Sequence, residues 1–246
     1  MPRGFNPHRR QFNRRLVHSI VATVAVASHP GLLFAQSPQP LRIGIIGSGN
    51  IGGAVGLRWA EAGHQILFSS RNPGNLEDLV RQAGPNARAG YPRDAVAFGD
   101  VILIAVPYSA LPQIGRDFAP LMAGKVVIDC GNPYIGRDGE MAAEALAKGT
   151  GVASAEYLPG VTLVRAFNAI GYSSVHDLHH RQGELVAIPI AGNNSQAVTT
   201  VSNLVIDAGF DPVVVGGLER ARDFDQGTDV YVQDLTANEL RAALNI

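Results

Sequence analysis

The chain has 246 residues, 46% hydrophobic and 17% charged, enough apolar material for one large core or two small ones. Its 20 basic and 21 acidic residues nearly balance, and five of the arginines lie within the first fifteen positions. The rest of the chain therefore holds 15 basic against 21 acidic residues, a balance that speaks against nucleic acid or an anionic surface as partner. The single cysteine, Cys130, excludes an internal disulfide.

Residues 1–40 differ in character from the rest of the chain. Arg3, Arg9, Arg10, Arg14 and Arg15 precede an apolar run broken by His18, His29 and Pro30, and no acid occurs among them. This is the layout of an export signal: a basic start, an apolar stretch, then small residues. Arg9-Arg10-Gln11-Phe12 resembles the twin-arginine motif, from which Asn13 and the second pair, Arg14-Arg15, depart. Cleavage would occur after Ala35 or Ala27. The expected organisation is a signal peptide at 1–35, a spacer at 36–40 and a folded domain at 41–246. The partner of the leader would be the twin-arginine export machinery, and the location periplasmic or otherwise exported. A retained anchor is the other reading, although the histidines and Pro30 make a poor spanning helix.

Leu41 to Pro73 reads LRIGIIGSGNIGGAVGLRWAEAGHQILFSSRNP. A short apolar run, 41–46, suits a buried parallel strand. Gly47-Ser48-Gly49-Asn50-Ile51-Gly52 then forms G-x-G-x-x-G, succeeded by a helical pattern from Ile51 to about Ala62 and a second apolar run, 65–68. Strand, glycine turn, helix and strand within about 30 residues form the dinucleotide-binding unit. Gly47 permits the tight turn, Gly49 lets backbone approach a pyrophosphate, and Gly52 allows the helix to pack on the strand. The helix start supplies unpaired N–H groups and a favourable dipole.

The second strand ends in Ser69-Ser70-Arg71, where an NAD site places an acid for the ribose 2′-hydroxyl. A hydroxyl and a guanidinium at Ser70 and Arg71 suit a 2′-phosphate, so NADP is the expected cofactor. The plainer reading leaves Arg71 as a solvated loop residue.

Further on, the pattern predicts a helix capped by Asn75 and running to about Gln82, a short strand over 87–91 and a helix near 94–98. Then come a buried strand over 101–106 stopped by Pro107, a helix over about 110–122 and a strand over 126–129. Beyond these lie a helix near 141–147, an apolar run over 162–167, strands at 185–191 and 211–215, and a helix at 195–208. The tail from Asp225 carries a helical pattern. The predicted fold is a Rossmann-type, doubly wound α/β domain with a mostly parallel sheet and a short C-terminal extension.

In such a sheet, ligands gather beyond the carboxyl ends of the strands. Ala105-Val106-Pro107-Tyr108 and Cys130-Gly131-Asn132 are thus candidate walls for the nicotinamide half. Cys130 reads as a small buried hydrophobe, with a nucleophile as the alternative. His176, Asp177, His179 and His180 lack a second ligand group at a telling spacing, so no metal is expected.

From Leu41 onward the chain resembles the NADP-binding oxidoreductases typified by deazaflavin (coenzyme F420)-dependent NADP reductase, grouped with the pyrroline-5-carboxylate reductase N-terminal domain. The stretches that carry the likeness are IGIIGSGNIGGAVG, FSSRNP, VILIAVPYSAL, VVIDCGNP, LVRAFNAI and VVVGGLERAR. The resemblance implies that Ser70 and Arg71 hold the 2′-phosphate, Ser48 to Ile51 the pyrophosphate, and Val106 to Tyr108 the nicotinamide side. It also implies that Asn132 and the segment Asn168-Ala169-Ile170 border the second substrate. No positioned acid, base or nucleophile is evident, which suits hydride transfer between two rings, where stacking and distance dominate. No residue is therefore assigned a catalytic role. The acceptor would be deazaflavin F420, a flavin, a metal complex or a small imine or carbonyl. A non-catalytic NADP-binding redox sensor is the reading from another class, and a homodimer is among the expectations.

Overall fold

The computed structural model describes residues 39–246. The expected leader, with Arg9, Arg10 and both candidate cleavage points, and most of the spacer lie outside the described residues.

The first half alternates strand and helix as its apolar spacing dictates. Strand β1 (Arg42–Ile46), helix α1 (Asn50–Glu61) and β2 (Gln65–Ser69) lead into a 3-10 turn at Pro73–Leu76, α2 (Glu77–Ala83), β3 (Ala87–Gly90) and α3 (Pro92–Phe98). Next come β4 (Val101–Ile104), α4 (Leu111–Met122) and β5 (Val126–Asp129). Three short helices then intervene, α5 (Ile135–Asp138), α6 (Glu140–Lys148) and α7 (Thr150–Tyr157), before β6 (Thr162–Arg165). The chain closes with α8 (Tyr172–Asp177), β7 (Ala187–Gly192), α9 (Ser195–Asp207), β8 (Asp211–Gly216) and α10 (Ala237–Leu244).

All eight strands form one sheet in the order β3-β2-β1-β4-β5-β6-β7-β8. The first six run parallel, with the doubly wound order 3-2-1-4-5-6, so the sequence switches direction between β1 and β4. β7 pairs antiparallel to β6, and β8 pairs parallel to β7. The expected extension is thus two more strands of the same sheet.

Alternation along the central strands sorts side chains onto two faces. Ile43, Ile45, Val101 and Leu103 join Trp59 of α1 and Leu204 of α9 in one core. Ile46, Ile102 and Ile104 join Leu111 and Met122 of α4 in the other. Trp59 Nε1 donates to the Leu204 carbonyl at 2.7 Å, which ties the first helix to the C-terminal part of the sheet.

Four expectations need correction. The strand over 101–106 stops at Ile104. Asn75 lies inside the 3-10 turn, and α2 begins after Leu76 without a side-chain cap. α7 is absent from the sequence-based expectation, because its Thr-Gly-Val-Ala-Ser-Ala run offers small residues in place of an apolar stripe. Those small residues are what the packing demands: a Cβ on Gly151 would stand 2.1 Å from the Leu218 carbonyl oxygen. Finally, the tail does not become helical at Asp225, because Gly227, Val232 and Asp234 all take positive φ and the helix starts only at Ala237.

Candidate nucleotide and acceptor cleft

Two lobes open beyond the carboxyl ends of the parallel strands and share one wall, Ala105-Val106-Pro107, at the end of β4. The first lobe, about 790 Å³, is lined by Gly47, Ser48, Gly49, Ser70 and Arg71, with Leu76, Pro92 and Phe118 opposite. The second, about 840 Å³, is lined by Asn50, Ile51, Asn132, Asn168, Tyr134 and Tyr231 among others.

Each glycine of the first turn has a measurable reason. Gly47 takes φ +92°, and a Cβ there would meet the Ala105 carbonyl oxygen at 2.5 Å. A Cβ on Gly52 would sit 2.2 Å from the Gly47 carbonyl oxygen, so Gly52 serves helix packing and lines neither lobe. Around Gly49 the space is open, with no atom within 4 Å of where a Cβ would stand. The first bond of α1 runs from Gly53 N–H to the Gly49 carbonyl (2.7 Å), which leaves the N–H groups just before it without partners inside the helix. An open cradle beside unpaired donors fits a pyrophosphate.

Ser48 N–H donates to the Ser69 carbonyl (3.1 Å), and Ser48 Oγ accepts from Ser69 N–H (2.9 Å). These bonds fasten the glycine loop to the end of β2. Ser70 Oγ accepts from Asn72 N–H at 2.9 Å, fixing the turn that presents Arg71. Arg71 is exposed and has no hydrogen-bond or ion-pair partner among the described residues. Its guanidinium is therefore unspent beside a hydroxyl, as a 2′-phosphate contact requires.

Asn132 and Asn168 both line the second lobe. Asn132 Nδ2 donates to the Asn168 carbonyl (2.8 Å) and to the Tyr231 hydroxyl (3.3 Å). The side-chain carbonyl oxygens of both asparagines are buried without a donor. Cys130 also lines the lobe. Burial, and then the neighbouring Asp129, push its thiol up to about 12, and Sγ–H donates to the Ile104 carbonyl. It is a protonated packing group at neutral pH, not a nucleophile.

Two expected contacts are corrected. The Tyr108 side chain is fully buried in the second core, with its hydroxyl 2.9 Å from Ser154 Oγ, so it turns away from the nicotinamide wall. Ala169 is buried beneath the C-terminal tail, where its carbonyl accepts from Val232 N–H at 3.0 Å. Both residues lie far enough past the strand end that local turn geometry, not strand alternation, aims them.

Sequence reasoning missed the other wall of the second lobe. Tyr134 and Arg137 come from the start of α5, Tyr172 from the start of α8, and Tyr231 and Val232 from the irregular tail. Exposed aromatics near strand ends were a usable signal for Tyr134 and Tyr172, whereas nothing local marked Tyr231. Asp138 anchors this wall: it accepts from Tyr134 N–H (3.0 Å), Ser109 N–H (3.3 Å) and Arg137. Phe167 and Val232, both lining the lobe, take φ +60° and +57°. Bulky residues in that region carry strain of about 1–3 kcal/mol each, and such strain gathers where a site is held in shape.

Beneath the cleft floor lies a second feature that the sequence did not disclose. Arg165 and Asp129 are fully buried and paired at 2.7 Å, with Asp225 Oδ1 3.6 Å from the same guanidinium. Asp129 also accepts from Ser154 Oγ (2.6 Å) and from Gly131 N–H (2.8 Å). Asp225 accepts from Thr150 at both its backbone N–H and its hydroxyl. Burial disfavours the arginine charge, but the two carboxylates outweigh it and hold the guanidinium charged.

Known proteins resemble this chain in sequence and in fold. The family described as NADP oxidoreductase, coenzyme F420-dependent, matches residues 42–133, the stretch from β1 through the Asn132 loop. That match spans 92 of the 246 residues and contains the glycine turn, the Ser70-Arg71 turn and the shared wall at Ala105–Pro107.

Among characterised proteins, metalloreductase STEAP3 of Rattus norvegicus is 29% identical over 202 residues, covering 79% of this chain and 38% of that protein. Metalloreductase STEAP2 of Homo sapiens is 24% identical over 196 residues, covering 79% and 37%. The chain thus spans less than two fifths of their length. Among solved structures, hypothetical protein SMa0349 from Sinorhizobium meliloti superposes with a TM-score of 0.70 at 25% identity, covering 80% of this chain and 95% of that one. A provisionally named F420-dependent NADP-reductase from Arthrobacter sp. FB24 gives 0.58 at 18% identity, covering 74% and 87%, a likeness of fold alone.

Proposed function

We propose that this protein is an NADP-dependent oxidoreductase that moves a hydride from NADPH to a flat ring acceptor of the deazaflavin or flavin type, bound in the second lobe. One observation carries the reading: two lobes meet at Ala105–Pro107, and the one beyond the nucleotide side is about 840 Å³ with Tyr134, Tyr172 and Tyr231 in its wall. That volume lies in the range of pockets that enclose a whole small molecule, and aromatic walls suit a planar ring.

Dihydronicotinamide supplies the hydride when bound. The chain's own part is to hold the pyrophosphate at Gly49 and the α1 start and the 2′-phosphate at Ser70 and Arg71. It also keeps both rings against the shared wall, where most of the gain is proximity. The test is NADPH oxidation, monitored by absorbance, with deazaflavin F420, FMN, FAD, a cyclic imine and ferric citrate. Turnover with a ring acceptor supports the reading. Turnover with ferric citrate alone favours a metal-reducing role, in line with the likeness to metalloreductases. Tight NADPH binding with no turnover favours a redox sensor.

The same proposal includes export through the Arg9-Arg10 leader. Replacing both arginines with lysine should abolish the periplasmic fraction, and unchanged export would remove the twin-arginine reading.

A further inference from the structure

Among the described residues no carboxylate lines the second lobe, and its thiol is held protonated, yet reducing a polarised double bond at carbon needs a proton as well as a hydride. We propose that Tyr231 is the proton donor of the reaction and that Tyr134 links it to solvent. This rests on the hydride-transfer reading above.

The hydrogen bonding assigns the roles. Asn132 Nδ2 can only donate, so the Tyr231 oxygen accepts that bond, at 3.3 Å. Asn132 is itself fixed from two sides, by its bond to the Asn168 carbonyl and by Arg137 Nη2 donating to its own carbonyl at 2.7 Å. The Tyr134 hydroxyl stands 2.7 Å from that of Tyr231. When Tyr134 donates across this bond, both lone pairs of the Tyr231 oxygen are filled and its proton is left for a partner in the lobe.

The backbone holds Tyr231 there. Its N–H donates to the Thr228 carbonyl (3.2 Å), and Val232, in its strained conformation, donates its own N–H to Ala169. Burial raises the Tyr231 pKa, so the phenol keeps its proton until a stronger base forms beside it.

The step balances without another reagent. The hydride brings its electron pair to the acceptor carbon, and the π pair moves to the adjacent or conjugated nitrogen or oxygen. That atom takes the proton as the Tyr231 O–H bond breaks. The resulting phenolate accepts from Asn132 Nδ2–H and takes the Tyr134 proton. Tyr134, which is 37% exposed, is reprotonated by solvent.

The experiment uses Tyr231→Phe and Tyr134→Phe in the full chain, with the ring or imine acceptor that supports turnover. Tyr231→Phe should lower kcat about 100-fold or more, within the range for losing a general acid. It should also leave the calorimetric NADPH affinity within about two-fold and remove the solvent deuterium isotope effect on kcat. Tyr134→Phe should give a smaller loss with the isotope effect retained. A Tyr231→Phe protein with wild-type kcat overturns the proposal and leaves the hydride-transfer reading standing. So does a loss of kcat matched by an equal loss of NADPH affinity, which marks a structural fastening. A wild-type protein that fails to oxidise NADPH with any acceptor of the panel overturns both.

Discussion

Arg165 Nη1 lies 2.7 Å from Asp129 Oδ2, across the ends of two adjacent strands, with neither side chain exposed. Asp129 is the last residue of β5, immediately before the Cys130-Gly131-Asn132 turn, and its other oxygen holds Gly131 N–H. The pair therefore fixes the floor on which the second lobe stands.

Breaking this pair should be costly. Arg165→Met leaves Asp129 and Asp225 buried without their counter-charge, which is expected to destabilise by about 3–5 kcal/mol. Urea unfolding tracked by the fluorescence of Trp59, the single tryptophan, would measure it. A loss below about 1 kcal/mol would show that the network relaxes or neutralises.

The cofactor assignment has its own test at Arg71. Truncating a hydrogen bond to a charged group costs roughly 1.5–3 kcal/mol, or about 10- to 150-fold in affinity. Arg71→Ala should weaken NADPH binding by that factor and leave NADH nearly untouched, as read by calorimetry. Equal losses for both nucleotides would mean that Arg71 reads no phosphate.

Two glycines of one motif should respond in opposite ways. Gly52→Ala pushes a methyl to 2.2 Å from the Gly47 carbonyl oxygen and should lose about 1–3 kcal/mol of stability. Gly49→Ala has free space and φ −81°, so the melting temperature should stay close to wild type. Its methyl instead enters the pyrophosphate cradle, and NADPH affinity should fall. A destabilised Gly49→Ala protein would contradict this division.

Asp138 should govern part of the acid sensitivity. Burial alone would raise its carboxyl, but Arg137 and the N–H groups of Tyr134 and Ser109 outweigh that and hold it well below the ordinary carboxylate range. A carboxyl with a depressed folded pKa stabilises above its unfolded value, near pH 4, and that stability is lost as pH falls toward the folded pKa. Asp138→Asn should therefore be less stable than wild type at neutral pH, and the difference should shrink below about pH 4. Parallel stability curves for the two proteins across that range would refute the assignment.

The dinucleotide unit was legible because its signals are local. A buried strand, the spacing of Gly47, Gly49 and Gly52, and the switch from period-two to helical spacing all occur within one stretch, and each restricts the backbone by itself. The same holds for β4, β5, β7, β8 and α9, whose apolar runs fix which face meets the sheet. Arg71 was readable for a similar reason: an exposed cation at a strand end needs no distant partner to be noticed.

Tertiary structure alone decided what the second lobe is made of. Asn132 meets Tyr231 across 99 residues of sequence, and Arg165 at the end of β6 meets Asp225 just after the 3-10 turn Leu218–Phe224. Periodicity reports which side of an element is apolar, but it carries no information on which remote polar group arrives opposite. Tyr108 illustrates the limit. Its sequence position beside Pro107 suggested the cleft, yet the turn into α4 rotates the ring into the core, where Ser154 satisfies its hydroxyl. The sequence by itself therefore determined the strand–turn–helix chemistry that can receive a dinucleotide, because those constraints act between neighbours. The composition of the second lobe's wall was decided only by folding, because burial and hydrogen bonding act between residues that the chain keeps far apart.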